Sequence, residues 1–131
     1  MASLPDNVER LLHEHVRTVA QLEVLLLLER DPSRWWTAES VTVELRTSVH
    51  SASLCLQHLT RARLIEQREG GPDAFRFNPA RAEDAASVRE LVALFQQRMS
   101  SVINAIYAPK RDTLKDFADA FRIIKKGDDD G

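Results

Sequence analysis

The sequence predicts a mainly α-helical protein with a small β-hairpin and further helices toward its C-terminal end. Apolar residues recur at helical spacing through most of the chain, two short runs alternate between apolar and polar residues, and most Gly and Pro residues fall between these segments. The 131 residues fit one domain, and a content of 44% hydrophobic and 29% charged residues is ordinary for a globular protein.

Composition excludes several classes of protein. The 18 Lys and Arg against 20 Asp and Glu give a net charge of −2, which argues against coating nucleic acid by overall charge. The single cysteine, Cys55, forms neither an internal disulfide nor, alone, a cysteine-based zinc site. The start of the sequence lacks a secretion signal, and the apolar run Leu22 to Leu28 is far shorter than the about 20 residues of a membrane span. We therefore expect a cytoplasmic protein without membrane contact.

Two helices are predicted before residue 31. Asp6 is suited to cap a first helix that runs to about Arg17. Thr18 and Gln21 have the spacing of a capping box, which starts a second helix that must end before Pro32. The second helix is apolar on nearly all sides, which predicts that it lies at the centre of the core.

Two further helices follow. Thr37 is suited to cap a short third helix, Ala38 to Leu45, and Ser48 to cap a fourth that runs to about Ala62. The spacing of small and apolar residues predicts a buried face on the fourth helix, formed by Ala52, Cys55, Leu56 and Leu59.

Two adjacent tryptophans stand before the third helix. Trp36 directly precedes Thr37 and is placed to pack against Val41 as a hydrophobic staple. For Trp35 and Trp36 together we favour packing over ligand binding, since large aromatic side chains dominate protein cores.

The hairpin and the C-terminal helices complete the prediction. Leu64 to Glu69 and Ala74 to Phe77 alternate around a Gly-Gly-Pro-Asp turn, which predicts two strands. A long helix closed by Pro109 follows, and then a last helix from about Asp112 to Lys126. Apolar residues form a heptad seam along the long helix at Val88, Val92, Phe95, Met99, Val102 and Ile106, and one face of the last helix at Leu114, Phe117, Phe121 and Ile124.

This order of helices, three-residue turn, longer helix and hairpin is that of a winged helix-turn-helix. Residues 22–77 resemble the DNA-binding half of MarR-like and ArsR-like bacterial regulators. The spacing of Leu56, Leu59 and Leu64 is similar to the pattern that seats a recognition helix and leads into the wing. The other residues that carry the resemblance are Ala38, Glu39, Ser40, Val41, Leu45, Ser48, Ala52 and Ile65.

The resemblance implies a sequence-specific transcriptional regulator whose fourth helix lies in the major groove of double-stranded DNA. Gln57 is suited to bond adenine, and Arg61 to bond guanine or a phosphate. The hairpin supplies wing contacts. The expected DNA-binding residues are Ser48, His50, Ser53, Gln57, Arg61, Arg68 and Arg76, and Leu54 and His58 lie on the same predicted face.

Charge supports this expectation, and other residues support an alternative. Between Arg46 and Arg81 the chain carries a net charge of +3, although the whole chain is acidic. An outward Leu54 suits base contacts poorly, and Glu69 and Asp73 at the wing tip repel phosphates. The alternative is a winged helix that binds a protein partner instead of DNA.

Two arginines depart from the family pattern. Arg46 and Arg63 stand at helix ends where such regulators often have Gly. A left-handed backbone costs Arg roughly 1 kcal/mol there, unless the helix end shifts. In return, each Arg places a cation at a helix C-terminus and near a DNA phosphate. The sequence leaves these possibilities open.

The C-terminal helices exceed what a winged domain needs. We divide the chain into an N-terminal helix and winged helix-turn-helix (1–79), a helical dimerisation extension (80–126) and a tail (127–131). We expect a homodimer that reads half-sites about 10 base pairs apart. The expected dimer contacts are Val88, Val92, Phe95, Met99, Val102, Ile106, Phe117 and Phe121. Packing within the same chain and a coiled coil with another protein are the alternatives.

No enzyme or cofactor site is predicted. Cys55 and His58 have the spacing to share a metal, but a metal site normally needs three or four ligands. The sequence contains no Gly-rich phosphate loop and no Ser-His-Asp set at a recognisable spacing. We expect no catalytic activity, no cofactor and no metal.

Overall fold

The computed structural model describes residues 4–71 and 73–107, which form six helices and a two-stranded antiparallel sheet. This confirms a mainly helical chain with a small hairpin. No helix in this part of the chain has the length and hydrophobicity needed to cross a membrane. The elements are α1 (Asp6–His15), α2 (Val19–Arg30), α3 (Ala38–Leu45), α4 (Val49–Arg61), β1 (Ile65–Gln67), β2 (Phe75–Phe77), α5 (Ala82–Gln97) and α6 (Met99–Tyr107).

Three of the predicted helix caps are present. The Thr18 hydroxyl accepts a hydrogen bond from the backbone N–H of Gln21 at 3.1 Å. Thr37 forms a reciprocal box with Ser40, in which each side chain accepts from the other's backbone N–H. The Ser48 hydroxyl accepts from the N–H of Ser51 at 3.1 Å. Each cap satisfies a backbone donor that has no partner within the helix.

The start of α1 differs from the prediction. Pro5 occupies the cap position, and Asp6 is the first helical residue instead of the cap. Proline lacks an N–H and has a fixed φ, so it suits a helix start. The Asp6 carboxylate then lies in the first turn, where the helix dipole favours a negative charge. The Gln21 side chain also differs, because it accepts from the N–H of Arg17, one residue before the Thr18 cap.

The core is built around α2, as its sequence predicts. Leu22, Leu25 and Leu28 are completely buried. The α2 helix packs against α3, α4 and β2, while α1 packs against α5 and α6. The α2 helix therefore supports the α3–α4 unit, and α1, α5 and α6 pack together.

The hairpin is joined to the segment that precedes α3. Ile65 pairs with Phe77 and Gln67 pairs with Phe75 in antiparallel register. Trp36 also pairs with Phe75, through two backbone hydrogen bonds of 2.7 Å. The Trp36 side chain is almost completely buried, which agrees with the packing role preferred for it. The hairpin is thus fixed to the start of α3.

The prediction of one long helix is wrong, because the helix is broken at Arg98 into α5 and α6. Arg98 has an extended φ of −138° and donates its N–H to the carbonyl of Leu94. A continuous helix cannot pack against itself, whereas the break lets α6 pack on both α5 and α1. Val88, Val102 and Ile106 of the seam are buried in this way within their own chain.

The remaining seam residues differ in exposure. Val92 and Phe95 are partly buried, and 54% of the Met99 surface is exposed. Phe117, Phe121, the predicted helix 112–126 and the tail 127–131 lie outside the described residues.

Candidate nucleic-acid interface

The α3 and α4 helices pack against each other across the turn formed by residues 46–48. The predicted buried face of α4 is confirmed, since Ala52, Cys55, Leu56 and Leu59 are all buried. Val41 is the buried residue of α3. Because the inward face of α4 is fixed, the side of the helix that meets solvent is fixed as well.

The opposite side of α4 carries the predicted contact residues. His50, Gln57 and Arg61 are exposed, and Ser53 is half-buried. The Gln57 amide donates a hydrogen bond to the Ser53 hydroxyl at 3.3 Å, which links two successive turns. We call His50, Ser53, Gln57 and Arg61 the α4 outward face. Ser48 stands at its N-terminal edge, and the hydroxyl of Ser48 is engaged as the helix cap.

His58 does not belong to this face. Its side chain is half-buried, and its Nε2 donates a hydrogen bond to the carbonyl oxygen of His15 at 2.7 Å. This bond ties α4 to the end of α1. The sequence could not reveal this contact, because the two residues lie 43 positions apart.

Three apolar side chains are exposed on the α3–α4 unit. Leu54 is 52% exposed, Val49 is 45% exposed and Val43 is 77% exposed. Of these three side chains, only Leu54 was expected from the sequence to face outward. Val43 was detectable, because it stands two positions after the buried Val41 and so falls off the buried face of its helix.

The two arginines at the helix ends have left-handed backbones. Arg46 has a φ of 53° and Arg63 a φ of 63°, so neither helix end has shifted. At the end of α4, the N–H of Arg63 donates to the carbonyl of Thr60, and the N–H of Leu64 donates to that of Leu59. This is the Schellman arrangement, in which glycine is usual. Arg46 directly follows α3, and Arg63 follows α4 after Ala62.

The hairpin holds its two arginines differently. The Arg76 guanidinium pairs with Glu66 and lies 4.5 Å from the centre of the Trp35 ring. The pKa of the Glu66 carboxyl is lowered, chiefly by a hydrogen bond from Asn78. A hydrogen bond from Arg76 and the positive charge of Arg76 add smaller effects in the same direction. Arg68 is exposed and lies 5.5 Å from the same ring. Arg76 is therefore constrained, whereas Arg68 is accessible.

Four arginines of the α3–α4 unit and the hairpin are accessible to a ligand. Arg46, Arg61, Arg63 and Arg68 are exposed and make no ion pair with any described residue. By contrast, Arg81 pairs with Asp84 and Glu83. The four accessible arginines lie at the C-terminal ends of α3 and α4 and directly after β1.

Cys55 lacks the environment of a reactive thiol. It is buried, and this burial, together with the charge of Glu23, raises its pKa. The protonated thiol is a poor nucleophile and a poor metal ligand. Within residues 4–71 and 73–107, no three His, Cys, Asp or Glu side chains come together as a metal site.

Comparisons with known proteins gave no match to this chain among protein-family models, curated proteins or solved structures.

Proposed function

We propose that this chain binds double-stranded DNA through the α3–α4 unit and the hairpin, and acts as a transcriptional regulator. The observation that carries the proposal is the α4 outward face, which exposes amide, imidazole and guanidinium groups, together with three further arginines, Arg46, Arg63 and Arg68, that make no ion pair with a described residue. Amide and guanidinium groups are the side chains best suited to base edges, and arginine also neutralises phosphates.

The geometry suggests a role for each group. A helix is about 10–12 Å across with its side chains, which fits the major groove at about 12 Å. The Ser53 hydroxyl holds the Gln57 amide, so this amide is oriented before it meets a base. Arg46 and Arg63 follow the ends of the two helices, where they favour phosphates. Arg68 adds a backbone contact from the hairpin.

A homodimer is part of the proposal. Of the predicted seam, Met99 is the residue most available to a second copy, and Tyr107 on the same helix is 69% exposed. Two-fold pairing would place two α4 helices on half-sites about 10 base pairs apart. Light scattering at micromolar concentration tests this part, because a monomeric mass contradicts it.

The first test is binding to random-sequence duplex DNA at several salt concentrations. We expect the logarithm of the binding constant to fall linearly with the logarithm of the salt concentration, with a slope near −0.9 for each phosphate neutralised. Absence of binding at low salt would overturn the proposal. Once an operator is selected, Gln57→Ala should lower discrimination at one base pair by about 1–3 kcal/mol.

A protein partner is the second candidate, and the exposed Val43, Val49 and Leu54 favour it. Apolar side chains at the centre of a patch are typical of protein contacts. Leu54→Ser separates the two functions, because it removes apolar area without changing charge. DNA affinity that survives this change supports the first candidate, whereas a protein that binds no DNA directs the search to a partner at Leu54.

A further inference from the structure

A groove lies between α2, the C-terminal end of α3 and α5, and none of its lining residues belongs to the α4 outward face. It encloses about 440 Å³. Leu26, Leu45, Val92 and Phe95 line it while only partly buried. The described residues therefore leave an apolar surface here that is suited to cover by another segment.

The rim of the groove is acidic. Glu23, Glu29 and Glu44 line it together with Arg30. None of the three carboxylates makes an ion pair with a described residue. The rim therefore carries a net charge of −2, and it favours an occupant that joins apolar side chains to cations.

We propose that residues 112–126 of the same chain dock in this groove. These residues lie outside the described part, and the proposal uses only their sequence. Helical spacing would place Lys125 at the edge of the apolar face, whereas Lys115, Arg122 and Lys126 would form a row, at i, i+7 and i+11, further round the helix. That face comprises Leu114, Phe117, Phe121 and Ile124. It matches the apolar lining of the groove, and Lys125 is placed to meet the acidic rim. Four basic and three acidic residues give the segment a net charge of +1, opposite in sign to that of the rim.

The length of the connecting chain allows docking within one molecule. The α6 helix has nine residues and begins two residues after Gln97, close to the groove residue Gln96. It spans about 14 Å, and the next four residues reach about 14 Å more when extended. A helix over 112–126 adds about 22 Å, so its middle reaches the groove whichever way α6 runs.

The short connecting chain also favours docking within the same molecule over docking in a second copy. A short linker holds a segment at an effective concentration near the millimolar range, far above that of a second molecule in dilute solution. The proposal places Phe117 and Phe121 against their own chain, which differs from their expected position between two copies. It is independent of DNA binding, and its test needs no DNA.

Lysine distribution makes the test specific. Lys110, Lys115, Lys125 and Lys126 are the only lysines of the sequence. A water-soluble carbodiimide joins a lysine amine directly to a carboxylate that touches it. Treatment of the full-length protein, followed by peptide mass spectrometry, should therefore link Lys115, Lys125 or Lys126 to carboxylates of the groove. The expected partners are Glu23, Glu29 and Glu44.

An equal mixture of ¹⁵N-labelled and unlabelled protein identifies which molecule supplies the segment. We expect linked peptide pairs that are entirely heavy or entirely light. Mixed pairs would overturn docking within one chain and assign the groove to a second copy. Links only to carboxylates outside the groove, such as Glu39, Glu69 and Glu90, or no links at all, would overturn the assignment of the groove as the docking site.

Substitutions in the segment complete the test. Phe117→Asp together with Phe121→Asp should lower the yield of groove links roughly tenfold or more, because burial of the two phenylalanine side chains stabilises the docked segment. Ile123→Asp is the matched control, since helical spacing puts it off the apolar face, and it should retain the links. Equal yields from both variants would contradict the proposal. Circular dichroism verifies that every variant retains its helices.

Discussion

At the scale of single residues, the most unusual feature is the left-handed backbone of Arg46 and Arg63. Each residue accepts a conformation that glycine adopts without steric cost. An arginine at each position agrees with the proposed phosphate contacts, because its guanidinium adds a cation at the end of a helix of the α3–α4 unit. Stability and binding thus favour different residues at the same two positions.

Replacing Arg63 by glycine tests this conflict. Arg63→Gly should raise the free energy of unfolding by about 0.5–1 kcal/mol, because relief of the left-handed strain exceeds the added unfolded-state entropy. Arg61→Gly removes the same charge from a helical position and should lower it by about 0.5–1 kcal/mol. Urea denaturation measures both. Destabilisation of equal size in the two variants would show that Arg63 carries no strain.

Glu66 supplies a prediction about pH. Its pKa in the folded protein lies below the ordinary value of 4.5, chiefly because Asn78 donates a hydrogen bond to the carboxylate. This interaction stabilises the hairpin at pH values above the pKa that Glu66 has in the unfolded chain. The stabilisation is lost as the pH falls through the pKa that Glu66 has in the folded protein. Asn78→Ala should raise the pKa of Glu66 in a carboxyl-carbon NMR titration.

A control variant separates this effect from general damage to the hairpin. Gln67→Ala removes a neighbouring hydrogen bond, the one from Gln67 to Asp73, and leaves the Glu66 contacts in place. It should not change the pKa of Glu66. A shift of similar size in both variants would mean that hairpin distortion, and not the loss of the Asn78 donor, controls the titration.

Residue positions were predictable where they depend on local spacing. The inward residues of α4 and the caps Thr18, Thr37 and Ser48 follow from neighbours within one turn, and all are confirmed. His58 and Trp35 could not be placed, because their partners, His15 and the hairpin arginines, are brought near only by the tertiary fold. No local pattern encodes such contacts.

At the scale of elements, helix α3 depends on its N-terminal box. Thr37→Ala should cost about 1 kcal/mol of unfolding free energy, because it leaves the N–H of Ser40 without its partner at the start of an eight-residue helix. Thr37→Ser keeps the hydroxyl and should recover most of that loss. Urea denaturation measures the free energy of unfolding of both variants. An alanine variant as stable as the parent would show that tertiary packing alone fixes the start of α3.

The division between α5 and α6 shows a limit of sequence patterns. The apolar steps continue through residue 98 without Gly or Pro, so the sequence contains no signal for a break. Val88 lies before the break and Val102 after it, and both are buried within the chain. The break allows this burial, because α6 folds back onto α5 and α1 instead of continuing straight. A seam of this kind is satisfied either by a second molecule or by folding back, and its spacing is the same in both cases.

At the scale of the whole molecule, charge is distributed unevenly. The net charge of −2 gives no general attraction to DNA, and Glu39 and Glu44 of α3 offset Arg46 and Arg61. Any affinity must therefore come from short-range contacts of the unpaired arginines. The residues of the candidate site could be proposed from the sequence because most of them lie within one helix and one hairpin. The acidic groove could not, since three separate helices form it.

Short-range phosphate contacts predict a position-dependent effect of charge removal. Arg61→Gln and Arg68→Gln should each reduce the salt slope of DNA binding by about 0.9, because each removes one neutralised phosphate. Arg89→Gln changes the net charge equally, but Arg89 lies on α5, outside the proposed interface, and should leave the slope unchanged. Fluorescence anisotropy with one duplex across a salt series measures all three variants. Equal slope changes in all three would mean that the protein responds to DNA through its overall charge, and the α4 outward face would lose its assigned role. A slope that changes only for Arg61 and Arg68 would locate the phosphates beside α4 and the hairpin.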